Sequence, residues 1–337
     1  MFSAYFNIIS GKLQPRHFIS KRILVDGYDD AKPAVDLLEI HKRYSSLFDN
    51  NPNPNKFVEI EGVNDKSLYD LKVLIALKLM APCILCENRC RAIRLSGKRG
   101  RCGVGRDSLY TSEFIHMGEE SCIVPSHTIF FSGCTFECIH CQNYDIAREP
   151  DQGQIFDENI LRAIQRRHKM GGTRNINLVG GNPDQHLPNI LRVFKNLDTP
   201  IPIVWNSNTY ASIETMELLK GFADLHLADF KYGNDKCAKE ISGIDNYWNI
   251  VTRNLLFAYT NSDILIRHLV LPGHVECCAI PVAKWCAENI PNCGFNLMFQ
   301  YHPMYKAYTH PVLRNYLGED DIYNALNSVK KFKLNMV

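Results

Sequence analysis

The rhythm of apolar and polar positions changes near residue 127. From there, short apolar runs alternate with segments of helical period. HTIFFSG (127–133) reads as a strand ending in Gly. DENILRAIQRRHKMGG reads as a helix, with Ile160, Leu161, Ile164 and His168 on one face, Asp157 as cap and Gly171 as stop. The alternation continues with INLVGG (strand), LPNILRVFKNL (helix), PIVW (strand), SIETMELLKGF (helix) and DLHLADF (strand). NYWNIVTRNLLFAY (helix), DILIRHLVLPG (strand), AIPVAKWCAEN (helix) and FNLMFQY (strand) complete it. These six strands are nearly continuous apolar runs, the pattern of a parallel sheet buried on both faces. Strand–helix alternation implies an α/β fold with right-handed crossovers. Six units fall short of the eight of a closed barrel, which leaves an open partial barrel or a doubly wound sheet.

Upstream the pattern is weaker. LFDNNPNPNKF reads as a turn-rich loop. DKSLYDLKVLIALKLMA reads as a helix through Leu68, Leu71, Leu74, Ile75 and Leu79, ended by Pro82. The expected organisation is an N-terminal extension (1–80), a Cys-rich segment (81–125) and an α/β core with a C-terminal helix (126–337).

In either fold the site lies at the carboxyl ends of the strands. Unusual residues fall there in succession: Cys134, Cys138 and Cys141; Gly180 and Gly181; Asn206, Ser207 and Asn208; Asp229 and Lys231; Arg267 and His268; Gln300 and Tyr301. Singly, Asp229 reads as a helix cap, Lys231 as a surface charge and Arg267 as a salt-bridge partner. Together at one rim they read as a pocket.

Composition narrows the partners. The 337 residues are 45% hydrophobic and 22% charged, with net charge +2, so nothing points to nucleic acid or an anionic membrane. No apolar run reaches the roughly 18–20 residues of a membrane span, and LKVLIALKLMA is interrupted by lysines. The start lacks a basic region ahead of its apolar patch, so a cytoplasmic protein is expected.

Thirteen cysteines in such a chain call for metal rather than disulfides. CTFECIHC has the spacing C-x3-C-x2-C. Zinc would need a fourth ligand, and the nearest candidate, His140, directly precedes Cys141. A [4Fe–4S] cluster held by three thiolates leaves one iron open, the mark of a catalytic centre. Cys83, Cys86, Cys90 and Cys102 (C-x2-C-x3-C-x11-C) suit a closed, structural four-thiolate site, for zinc or a second iron–sulfur cluster. Arg89, Arg91, Arg94, Lys98, Arg99, Arg101 and Arg106 make that segment either a solvated loop or a docking surface for an acidic partner. Cys122 and the late cysteines Cys237, Cys277, Cys278, Cys286 and Cys293 read as buried thiols rather than an auxiliary cluster. Cys277 and Cys278, being adjacent, would point opposite ways if extended.

The C-x3-C-x2-C loop after one strand and the glycine pair after the next resemble the radical S-adenosylmethionine (SAM) superfamily. More narrowly, CILCENRCRAIRLSGKRGRCG, HMGEE, FFSGCTFECIHCQNYDIA, NINLVGG, DFKY, RHLVLPG and QYHP resemble the pyruvate formate-lyase activating enzymes and their PflX-type relatives, over roughly residues 80 to 305. The resemblance implies a partial (β/α)6 barrel of TIM type, with a helical or irregular extension carrying the four-cysteine segment. It implies a [4Fe–4S] cluster on Cys134, Cys138 and Cys141, with SAM chelating the open iron. Reductive cleavage of SAM would give a 5′-deoxyadenosyl radical that takes a hydrogen atom from a protein, peptide or small molecule, with a glycyl radical as one product. His140, Gly180, Gly181, Asn206, Ser207, Asn208, Asp229, Lys231, Arg267 and His268 would surround SAM. HMGEE (His116 to Glu120) would reach the rim, and a flavodoxin or ferredoxin would supply the electron. Substrate would lie near Gln300, Tyr301, His268 and His274. The chain departs from the activating enzymes where Asn206 and Ser207 replace an acid and a hydroxyl residue, removing the acid of a monovalent-cation site. Asn182 follows the glycine pair where Glu is usual, and His140 replaces an aromatic residue. The competing class is a non-catalytic iron–sulfur or zinc scaffold, or a redox sensor, which would not need Gly180, Asp229 and Lys231 at successive strand ends.

Overall fold

A computed structural model describes residues 2–49 and 66–337; most of the Asn/Pro-rich loop lies outside the described residues. Four helices come first: α1 (Ser3–Ile9), α2 (Arg16–Ser20), α3 (Ala34–Ser45) and α4 (Leu68–Lys78). Helix α4 starts where the pattern predicts. Ser67 and Asp70 close a reciprocal capping box that satisfies two end donors. Then follow β1 (Leu109–His116), β2 (Ser126–Phe131), α5 (Tyr144–Arg148), β3 (Gln154–Ile155), α6 (Asn159–Lys169), β4 (Asn175–Gly180) and α7 (Leu187–Phe194). The chain continues with β5 (Ile203–Ser207), α8 (Ile213–Leu219), β6 (Leu225–Asp229), α9 (Asp235–Ser242), α10 (Tyr247–Asn261) and β7 (Asp263–Leu269). It ends with α11 (Ile280–Asn289), β8 (Gly294–Met298), α12 (Glu319–Lys330) and β9 (Asn335–Met336).

The strands form one open sheet in the order β3-β1-β2-β4-β5-β6-β7-β8-β9. From β2 to β9 every pairing is parallel, while β1 pairs antiparallel with both β2 and β3. The six strands expected from the sequence are β2 and β4 to β8. The remaining strands lack that apolar signal: β1, second from one edge, is exposed or half-buried, and the edge strands β3 and β9 have two residues each.

Side chains alternate across the strands. One face packs on the helices in the main core, which includes Ile19, Ile23, Leu37 and Leu38 from the N-terminal segment. The other face encloses a separate cluster of Val204, Leu225, Leu227 and Leu265, closed at the amino ends of the strands by Phe2, Tyr5 and Ile123. Helix α1 thus plugs the bottom of the half-closed sheet. Tyr5 N donates to Asp263 Oδ2 (2.7 Å), and its hydroxyl accepts from Asn175 Nδ2 (2.7 Å).

Candidate active site

Above the apolar plug lies a polar layer built on HMGEE. Glu120 is buried and accepts from Arg267 Nε (2.8 Å), Arg267 Nη2 (2.5 Å) and Asn296 Nδ2 (2.7 Å). Glu119 accepts from Asn177 Nδ2 (2.6 Å) and reaches Asn206 Nδ2 and Ser126 Oγ at 3.5 and 3.3 Å. Burial would raise the Glu120 pKa, but the Arg267 guanidinium holds it below the usual carboxylate range. Arg267 therefore faces inward, yet its charge is committed to this pair.

Over that layer opens a cavity of about 380 Å³, within the roughly 300–1,000 Å³ of small-molecule sites. Its walls bring together Cys134, Cys138, His140, Cys141, Gly180, Gly181, Asn206, Ser207, Asn208, Asp229, Lys231 and Arg267. His268 is not among them. Strand alternation turns it to the opposite face, where Nδ1 meets Phe230 O at 2.7 Å. Nor do Gln300, Tyr301 and His274 line the cavity. β8 ends at Met298, and the Tyr301 hydroxyl turns away to the Leu313 carbonyl.

The glycine pair has a reason of its own. A Cβ on Gly180 (φ +115°) would meet Phe131 N at 2.2 Å, and one on Gly181 would meet Gly133 O at 2.0 Å. Without side chains there, the cysteine loop closes onto β4. Gln185 Nε2 fastens it by donating to Gly133 O (2.8 Å), and Asn182 Nδ2 holds Gln185 in turn (3.2 Å). Asn208 Nδ2 donates to Thr135 Oγ1 (2.8 Å), and Ser242 Oγ lies 2.9 Å from Cys138 Sγ. Sequence reasoning missed Gln185, Thr135 and Ser242, which carry no motif signal.

Burial favours the neutral thiols here, and Lys231 is the cation beside them. Burial and the neighbouring Cys138 push the Cys134 thiol up to about 12, and the same causes push Cys141 up to about 11. Burial works against the Lys231 ammonium, but Asp229 and the thiolates of Cys138 and Cys141 raise its pKa overall. Lys231 Nζ lies 2.7 Å from Asp229 Oδ2. Burial and Lys231 depress His140 to about 3, so it is a neutral ring, and its buried Nδ1 has no partner. Among the described residues, the only three Cys, His or acidic side chains with ligand atoms all within 4.8 Å are Cys237, Cys277 and Cys278. The Cys134, Cys138 and Cys141 sulfurs are spread more widely, as ligands to separate irons would be. Three loop thiols, an adjacent cation and an orphaned imidazole nitrogen fit a cluster with one bound organic ligand.

The Radical SAM superfamily sequence model matches residues 128–286. The uncharacterized protein MJ0674 of Methanocaldococcus jannaschii is 39% identical over 338 residues, covering 98% of this chain and 97% of that protein. Residues 128–286 are a radical SAM superfamily domain. Such a domain implies an enzyme that uses radical chemistry, SAM and a [4Fe–4S] cluster. Two structures of SuiB from Streptococcus suis, one bound to its precursor peptide SuiA and one to SAM, are each 16% identical, with TM-scores of 0.44 and 0.45. Each comparison covers 60% of this chain and 46% and 47% of SuiB, so the chain spans about half of SuiB's length. Among the described residues, no helix is long and apolar enough to cross a membrane.

The upstream cysteines sit beside this site. Cys83, Cys86 and Cys102 are buried and Cys90 is exposed. Cys86 bridges to Ala211, three residues past Asn208. Arg94 is fully buried. Its Nε donates to Gly105 O (2.9 Å), Nη1 donates to Gln185 O (2.8 Å) and lies 3.9 Å from Cys83 Sγ, and Nη2 has no partner. Arg94 thus sets a buried cation against the Cys83 sulfur. Other basic residues of the segment are engaged within the chain: Arg89 with Glu87 and Glu214, Arg99 with Asp151 and Arg101 with Glu137. That weakens the docking reading.

Proposed function

We propose that Cys134, Cys138 and Cys141 hold the [4Fe–4S] cluster and that SAM occupies the cavity they line. In this reading Gly180, Gly181, Asn206, Ser207, Asn208, Asp229, Lys231 and the neutral His140 surround it. With one electron delivered by an external donor such as a flavodoxin or ferredoxin, the bound group would supply a carbon-centred radical able to take a hydrogen atom from substrate. The substrate is a protein, peptide or small molecule, and the resemblance to activating enzymes favours a glycyl radical as product.

One observation carries this reading: the three loop thiols open into the same 380 Å³ cavity as the residues from the next strand ends. In it, Lys231 and Asp229 place a paired charge beside the thiols, and Arg267, paired with Glu120, lines the floor. In the same reading Cys83, Cys86, Cys90 and Cys102 hold a second, structural metal, zinc or a further cluster, for which their sulfurs would have to draw together, since no three of them lie within 4.8 Å of one another. The test is electron paramagnetic resonance of the anaerobically reduced protein with and without SAM. A cluster signal that changes on adding SAM is expected, and a signal indifferent to SAM would contradict the assignment.

A further inference from the structure

Three cysteines outside the cavity meet behind its wall. Cys237 lies in the first turn of α9, while Cys277 and Cys278 are consecutive in a single π-helical turn, Val275–Ala279. That turn overrides the divergence expected of extended neighbours. Cys277 Sγ lies 3.8 Å from Cys237 Sγ and 3.9 Å from Cys278 Sγ, and all three sulfurs fall within 4.8 Å of one another. They are not disulfide-bonded.

Two devices hold the group together. Gly233 packs against the π-turn so closely that a Cβ would meet Cys277 O at 2.5 Å and Cys278 Cα at 2.8 Å. Asn234 joins both segments: Oδ1 accepts from Cys237 N (2.9 Å), and Nδ2 donates to Cys277 O (2.8 Å). Thiols kept only as small apolar filler would not need a convergent, cross-braced arrangement. π-Turns occur frequently at functional sites.

We propose that Cys237, Cys277 and Cys278 form a three-thiolate site for a single zinc ion. Zinc–sulfur bonds of about 2.3 Å at tetrahedral angles set sulfurs about 3.8 Å apart, the spacing of Cys277 Sγ from both Cys237 Sγ and Cys278 Sγ. Three thiolates fill three tetrahedral positions and leave the fourth for water. Cys277, the half-buried member, gives the ion a route to solvent. The site pins the segment after β6 to the turn after β7. Gly233 is two residues beyond Lys231, so the ion braces one wall of the cavity. This inference does not depend on the chemistry assigned to that cavity.

The full chain, purified anaerobically and loaded with iron, sulfide and zinc, is compared with Cys237→Ser and Cys277→Ser by elemental analysis. The wild type should hold one more zinc per chain than either variant, with iron unchanged. After cobalt(II) replaces zinc, the thiolate-to-cobalt charge-transfer absorption should weaken in both variants. Cys277→Ser, with its half-buried side chain, keeps the comparison decisive if Cys237→Ser fails to fold. Equal zinc in wild type and Cys277→Ser would overturn the proposal. So would parallel loss of iron and zinc.

Discussion

Lys231 Nζ lies 2.7 Å from Asp229 Oδ2, on the wall of the cavity that Cys134, Cys138 and Cys141 share. Removing either partner leaves the other's charge uncompensated where solvent is limited. Lys231→Met and Asp229→Asn should each lower 5′-deoxyadenosine formation from SAM by about tenfold or more, corresponding to roughly 1.4 kcal/mol. Iron content should stay unchanged. Product analysis beside iron analysis checks this, and wild-type product yields from both variants would remove these residues from the site.

Tyr5 joins the plug to the sheet at two points, through Asp263 and Asn175. Tyr5→Phe leaves the Asn175 amide one acceptor short, at about 1–2 kcal/mol. Tyr5→Ala also opens a cavity, at about 3–5 kcal/mol. Denaturant midpoints should fall in that order. Midpoints equal to wild type would mean that α1 is dispensable to the half-closed sheet.

Arg94 satisfies the carbonyls of Gly105 and Gln185 and approaches Cys83. Arg94→Leu strands two buried acceptors, each costing about 1–3 kcal/mol. It also removes the charge facing the thiolates. The variant should melt earlier and lose metal from the upstream segment. Iron and zinc analysis of Cys83→Ser/Cys86→Ser identifies that metal: loss of zinc with iron unchanged excludes a second cluster there.

Stability should fall on mild acidification. Burial depresses His17, His186 and His226 to about 3 and holds His41 well below its usual value. A base with a lowered folded pKa contributes stability that is full above the unfolded value, near 6.5. It loses that stability as pH falls toward the folded value, at about 1.4 kcal/mol per pH unit for each group. Burial raises Asp184 and Asp224 to about 6, which gives the opposite slope between about 4 and 6. The histidines outnumber the acids, so denaturation midpoints should be lower at pH 5 than at pH 7.5. A flat profile would contradict their burial as neutral rings.

The parallel strands were legible because burial on both faces leaves apolar runs such as INLVGG and DLHLADF. The rim residues followed from where those runs stop. Helix α9 escaped because DKCAKEIS is short and polar, and its start depends on the Asn234 cap. Helix α1 escaped because its role as a plug exists only once the sheet curves around it. His268 was misplaced because a strand's facing is fixed by register, which the sequence alone left open. Glu120 and Arg267 pair across 147 positions, and Cys237 meets Cys277 across 40. No local pattern encodes such distances. The single π-turn at Cys277 and Cys278 also has no periodic signature.

The most direct test of the central claim is 5′-deoxyadenosine formation from SAM by the anaerobic, reduced protein, comparing wild type with Cys138→Ala. Wild type should form it, and Cys138→Ala should form none above background while retaining its fold. Equal yields from the two proteins would contradict the assignment of Cys134, Cys138 and Cys141 to the catalytic cluster.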